Sequence, residues 1–202
     1  MTTFEKWSLF LRAVGVVGTI LVLIMAVWGE KIKQLWNRPR LGIRLGEPSL
    51  TTANGKKAWY FNLVVSNGRR SSPASNTRVL LERVFKKGPD DRWLEEKFSG
   101  PVQVLWQWHD QSPQLQTIGP DTKSPFARLV EDTPAVVLML YLYPNNLDSK
   151  IQQDEPRRLV FRADSDIAAS PPITLEVAWD GQWTDGRTEI GEHLVVKRVG
   201  SM

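Results

Sequence analysis

The amino-acid sequence predicts an all-β sandwich carried behind one N-terminal transmembrane α-helix. An uncharged, proline-free run of 17 residues from Ala13 to Gly29 predicts the helix. Beyond Arg40 the hydrophobic pattern switches to period two, and ten such runs, separated by turn-forming residues, predict the sandwich. Strands without amphipathic helices between them pack sheet on sheet rather than as βαβ units. The expected organisation is therefore an anchor over residues 1–39 and a β-domain over residues 40–202.

The anchor comes first. Extended back to Ser8, the apolar segment approaches the ~20 residues that a spanning helix requires, with Arg12 its one interruption. Trp7 and Trp28 bracket it 21 residues apart. At ~1.5 Å per residue that separation is about 31 Å, which places both indoles at the two headgroup levels. Arg12 is near enough to one interface for its stem to snorkel. A cleaved signal would need small residues after the apolar core, and "MAVWGEKIK" puts Trp28 and Glu30 there instead. "EKIKQLW" is expected to continue the helix along the membrane surface, with Lys31 and Lys33 towards lipid headgroups and Trp36 on the apolar side. Pro39 should end it. Gly15 and Thr19 have the small-xxx-small spacing of helix pairs.

Charge is concentrated beside this segment. The chain carries 26 Lys and Arg against 22 Asp and Glu, but up to Arg44 there are seven basic and two acidic side chains. The β-domain is left close to neutral with its signs interspersed, so a nucleic-acid surface is not expected. The flank (Lys31, Lys33, Arg38, Arg40) suits anionic lipid headgroups. By the positive-inside rule it holds the C-terminal domain in the cytoplasm, at a bacterial inner membrane; a periplasmic domain is the alternative.

The expected strands follow in order: "RLGIRLG" from residue 40, "KAWYFNLVVSN" from 57 and "TRVLLERVFKK" from 77, the last closed by the turn Gly88-Pro89-Asp90-Asp91. After it come "DRWLEEKF", "VQVLWQW", "PFARLV", "AVVLMLYLY", "RRLVFRA", "ITLEVAW" and "HLVVKRV". Asn67-Gly68 is expected to end its strand at a positive φ. Trp59, Trp106 and Trp179 are expected in the core.

Within "NLVVSNGRRSSPASNTRVLLERV" (62–84), Val65, Asn67, Gly68, Ala74, Asn76 and Val79 resemble the V-x-N-x-G…A…V pattern of bacterial and archaeal Ig-like (CARDB-like) domains, with Gly68 directly following Asn67. "ITLEVAWDGQWTDGRTEIGEHLVV" (173–196) is similar to the closing hairpin of membrane-tethered bacterial proteins with Ig-like domains. The resemblance implies an Ig-like β-sandwich and carries almost no function with it.

Residues for chemistry are sparse. There are no cysteines and two histidines, which removes thiolate metal sites and a Cys nucleophile. His109 and Asp110 are adjacent at an expected strand end, where neighbouring side chains face opposite ways, and no G-x-S-x-G elbow accompanies them. Asp164 and Asp166 offer D-x-D spacing without the glycine and distal glutamate of a calcium loop. No metal, cofactor or catalytic residue is expected. The expected function is a membrane-anchored Ig-like binding or scaffolding module with a protein partner, a subunit of a bacterial membrane assembly. Trp108, Trp183, Arg69 and Arg70 are the candidate partner surface. The alternatives are a periplasmic sugar- or envelope-binding domain using Trp108 and Trp183, and an anchored hydrolase using His109 and Asp110.

Overall fold

The computed structural model describes residues 3–36, 38–68, 71–106, 116–118 and 122–200. Within these, the side chains of residues 3–6, 8–11, 13, 21, 30–36 and 116–118 are not described. The chain divides into two compact units, Met1–Arg38 and Pro39–Met202. The first is a single helix, α1 (Thr3–Trp36), 34 residues long and ending three residues before Pro39.

The second unit is built from two antiparallel sheets. In the first, β1 (Leu41–Leu45) and β2 (Ser49–Ala53) lie end to end along one edge of β3 (Lys56–Asn67). Pro48, between them, cannot donate to the ladder and interrupts that edge. The sheet continues through β8 (Thr122–Val130), β9 (Ala135–Leu138) and β10 (Lys150–Gln152). The second sheet has the order β13 (Leu194–Val199), β12 (Ile173–Trp179), β11 (Arg157–Asp164), β4 (Ala74–Lys87) and β5 (Trp93–Glu96). Two short strands, β6 (Val102–Gln103) and β7 (Gln116–Ile118), also pair with β4.

Alternation puts the apolar residues between the sheets. Trp59, Phe61, Leu63 and Val65 of β3 are all buried, as period two requires of one strand face. They meet Val79, Leu81 and Val84 of β4 and Leu175 and Val177 of β12 in one core cluster. Phe126 and Phe161, from opposite sheets, contact edge to face at 5.2 Å. Trp59, Trp106 and Trp179 are buried in the same cluster.

All ten expected runs contain a strand, but two change partner midway. Val104 donates its N–H to Val79 of the second sheet, while Leu105 donates to Met139 and Tyr141 donates to Gln103, on the side of the first. The "VQVLWQW" and "AVVLMLYLY" runs therefore stitch the two sheets together at this corner instead of forming long strands. The pattern reading omits β2, β7, β10 and a short helix α2 (Arg187–His193), whose Ile190 is fully buried.

Candidate functional site

Helix α1 presents an apolar surface. Every described side chain from Val14 to Trp28 is exposed, and the larger ones among them are Val, Ile, Leu, Met and Trp. The hydroxyl of Thr19 donates to the Gly15 carbonyl at 2.9 Å, so this polar group is satisfied within the helix. Among the described residues no helix is long and apolar enough to cross a membrane. The expected transmembrane span is thus not found among the described residues. Trp7, Arg12 and Trp28 are exposed on α1; Lys31, Lys33 and Trp36 lie on it with side chains outside the described residues.

Arg38 is the exposed last residue of the first unit, whereas Arg40 belongs to the β-domain. The Arg40 N–H donates to Asn67 Oδ1 at 3.0 Å, and its carbonyl accepts from Gly68 N–H at 3.1 Å. Asn67 Nδ2 completes the latch by donating to the Ser72 carbonyl at 2.7 Å. The Asn67-Gly68 pair therefore ties the entry of β1 to the exit of β3. Neither residue adopts a positive φ, contrary to expectation. Gly68 is needed for close approach: a Cβ there would stand 2.8 Å from Ser71 Oγ and 3.3 Å from Arg40 Cβ.

The expected partner surface divides in two. Arg69, Arg70 and Trp108, together with His109 and Asp110, lie outside the described residues. Trp183 is not an exposed platform; it is half-buried against the core. Its loop folds inward because three contacts hold it to the other sheet: Asp185 pairs with Lys57, the Trp59 indole N–H donates to the Thr184 carbonyl at 2.8 Å, and Arg187 pairs with Glu47. The Lys57 ammonium holds the Asp185 carboxyl below its usual range.

The remaining polar clusters are bound up in the fold. His193 Nδ1 is 2.8 Å from Asp180 Oδ2, closing the β12–β13 connection, and this contact lowers the Asp180 pKa. Asp164 pairs with Arg78 at 3.2 Å and Asp166 accepts from Asn76 Nδ2 at 2.6 Å, so the D-x-D carboxylates are already engaged by protein. Arg157 is fully buried; it donates to Asp148 Oδ2 at 2.8 Å and stands 3.6 Å from Glu96 Oε2. Among the described residues no group of three His, Asp or Glu side chains is placed to hold a metal ion.

Among the described residues, the surface is indented beside the corner where the sheets are stitched. A groove of about 600 Å³ opens there, between the 99–103 and 141–145 segments. Tyr141, Leu142 and Tyr143 form one wall and Pro101 and Gln103 the other. Leu142 is 68% exposed and Tyr143 49%, large apolar groups left open to solvent. The wall is fixed in place: Tyr143 Oη donates to the Leu138 carbonyl at 2.8 Å, and Asn146 Nδ2 to the Lys97 carbonyl at 2.8 Å. No single run of the sequence signals this site, since the chain crossing brings its parts together. Comparison of the chain with models of protein families, with curated proteins and with solved structures finds no match.

Proposed function

We propose that the protein is a membrane-anchored binding module: α1 holds an Ig-like β-sandwich at a bacterial inner membrane, where the sandwich engages a protein partner without catalysis. The observation that carries the reading is the uncovered apolar surface of α1. A helix that is apolar on all sides is stable only when lipid or protein covers it, and exposing it to water would cost about 25 cal/mol for each Å² of apolar area. The sequence supplies the rest of the anchor, from Arg12 through the basic flank. That flank favours a cytoplasmic β-domain.

Cell fractionation tests the anchor. The full-length chain is expected to stay in the membrane pellet through alkaline carbonate extraction, and a Val17→Lys/Leu23→Lys variant to be released. Recovery of the unmodified chain in the soluble fraction would overturn the reading. A reporter fused after Met202 reads the side: activity only outside the cytoplasm would reverse the proposed orientation.

A further inference from the structure

Charges whose signs are interspersed along the β-domain sequence are sorted by the fold. The strands of the first sheet carry Arg44, Lys56, Lys57, Lys123, Arg128 and Lys150 and not one Asp or Glu. Lys56 pairs with Asp132 and Lys57 with Asp185. The other four stand on the outer face. Arg44 and Lys123 flank Val64 in register, and Arg128 and Lys150 flank Val137, on the side opposite the core residues Leu63, Val65 and Val136. Carboxylates at the rim are engaged elsewhere: Glu47 pairs with Arg187, Glu131 accepts from the Lys57 N–H at 3.3 Å, and Asp148 pairs with Arg157. Arg187 does most to lower the Glu47 pKa, with smaller contributions from Lys123 and Arg44. The outer face of the second sheet is treated differently. There Arg158 and Lys197 meet Glu176, Arg162 meets Glu82 and Arg78 meets Asp164.

Cations gathered on one face without interleaved carboxylates repel one another, and an anionic partner relieves that repulsion. Each flanking pair is two strand spacings apart, about 10 Å, so the charges are spread over a plane. That spread suits many separate phosphates better than one bound anion. A DNA duplex is read by a helix or a two-stranded ribbon entering its groove, and the face of a broad sheet cannot enter one. An anionic bilayer surface is itself a plane, and it attracts basic side chains one by one at the level of its headgroups. We infer that the outer face of the first sheet is a docking surface for anionic lipid headgroups. The inference rests on the reading of α1 as an anchor, which brings such a surface within reach of the β-domain.

The chain has no cysteine, so a single introduced one carries a dye uniquely. Thr51→Cys places it on the same outer face, in register with Ala58, and Glu95→Cys on the outer face of the second sheet, in register with Phe85. The full-length chain with either dye is reconstituted into nanodiscs of phosphatidylcholine, with or without phosphatidylglycerol, and energy transfer to a headgroup-labelled lipid is measured. Transfer from residue 51 is expected to rise in the phosphatidylglycerol discs. The rise should vanish in about 0.5 M NaCl and in Lys123→Glu/Lys150→Glu, which changes two exposed residues and whose folding a denaturation midpoint checks. Lys123→Gln/Lys150→Gln should remove part of it, and transfer from residue 95 should not rise. Equal transfer in the two lipids, a rise that survives charge reversal, or an equal rise at residue 95 would overturn the inference. Tighter binding of a fluorescein-labelled DNA duplex than of phosphatidylglycerol vesicles, abolished by the same variant, would also overturn it and assign the face to nucleic acid. Entry into the discs is read first, by co-elution. A chain that stays out of them refutes the anchor, and its sedimentation with preformed vesicles of the same two lipids then decides the face by itself.

Discussion

Arg157 shows how a single charged residue can hold two sheets together. Its guanidinium reaches from β11 to Asp148 in the β9–β10 connection and to Glu96 on β5, and Lys86 approaches the same two carboxylates at 3.8 Å. Removing the buried guanidinium leaves Glu96 and the partly exposed Asp148 facing each other with Lys86 at 3.8 Å, and takes away its charged hydrogen bond to Asp148. Arg157→Ala is expected to destabilise the domain by about 2–3 kcal/mol, measured by urea denaturation. The same cluster sets the acid limit. Burial opposes ionisation of Asp148, yet the Lys150 backbone N–H and the Arg157 guanidinium bond its carboxylate and hold its pKa below the usual aspartate range. Burial likewise opposes ionisation of Glu176, and Lys197 and Arg158 more than offset it, lowering its pKa below the usual glutamate range. A depressed folded-state pKa contributes stability that is complete above the unfolded value and is lost as pH falls towards the folded one. Stability is therefore expected to be flat with respect to these two groups above about pH 5 and to fall steadily below pH 4.5, read from denaturation midpoints across pH; Asp148→Asn should flatten part of that fall.

The hairpin joining β2 to β3 is an element whose signal is plain in the sequence and is passed over when runs of alternation are sought alone. Ala53 pairs with Lys56 across a two-residue loop, and Asn54 and Gly55 have φ values of 53° and 80°. These are the angles of the mirror-image turn that matches strand twist, and glycine adopts them without a Cβ clash. Gly55→Val is expected to cost about 1–2 kcal/mol, seen as a lowered thermal midpoint, while Asn54→Gly should be near neutral. β2 was hidden because "SLTTA" has one large apolar residue and a mostly exposed strand, so no alternation marks it. β7 and β10 have three residues each, too few for a period to register, and α2 buries only Ile190 in its seven residues. The long strands were legible for the opposite reason: β3 carries Trp59, Phe61, Leu63 and Val65 inward at strict spacing, and β4 is a fourteen-residue strand with a long apolar run whose alternation breaks once between Leu81 and Val84. The groove was not legible at all. Residues near 78, 101 and 143 come together through the partner exchange at Val104 and Tyr141, and no local pattern encodes that exchange.

At the scale of the whole molecule, the two units have separate reasons to be folded. Among the described residues the hydrophobic core cluster begins at Leu41 and draws nothing from α1. The Asn67 latch reaches back only to Arg40, so the last contact that closes the sandwich lies on the C-terminal side of the boundary at Pro39. A domain whose core and latch lie on one side of a boundary loses little stability when the other side is removed. The near-neutral charge of the β-domain, against the basic flank that precedes it, separates the two units electrostatically as well. Deletion of residues 1–38 is therefore expected to leave a cooperative urea transition whose midpoint matches that of the full chain in detergent, while the truncated protein leaves the membrane pellet. A further deletion to residue 40 removes the Arg40 contacts with Asn67 and Gly68 and should lower that midpoint by about 1–2 kcal/mol of stability, the loss of one backbone–side-chain and one backbone–backbone hydrogen bond at the exposed entry of β1. Equal midpoints for the two truncations would place the domain boundary after Arg40 and reduce the Asn67 latch to a surface contact; a broad, non-cooperative transition already at the first truncation would show that the sandwich depends on α1.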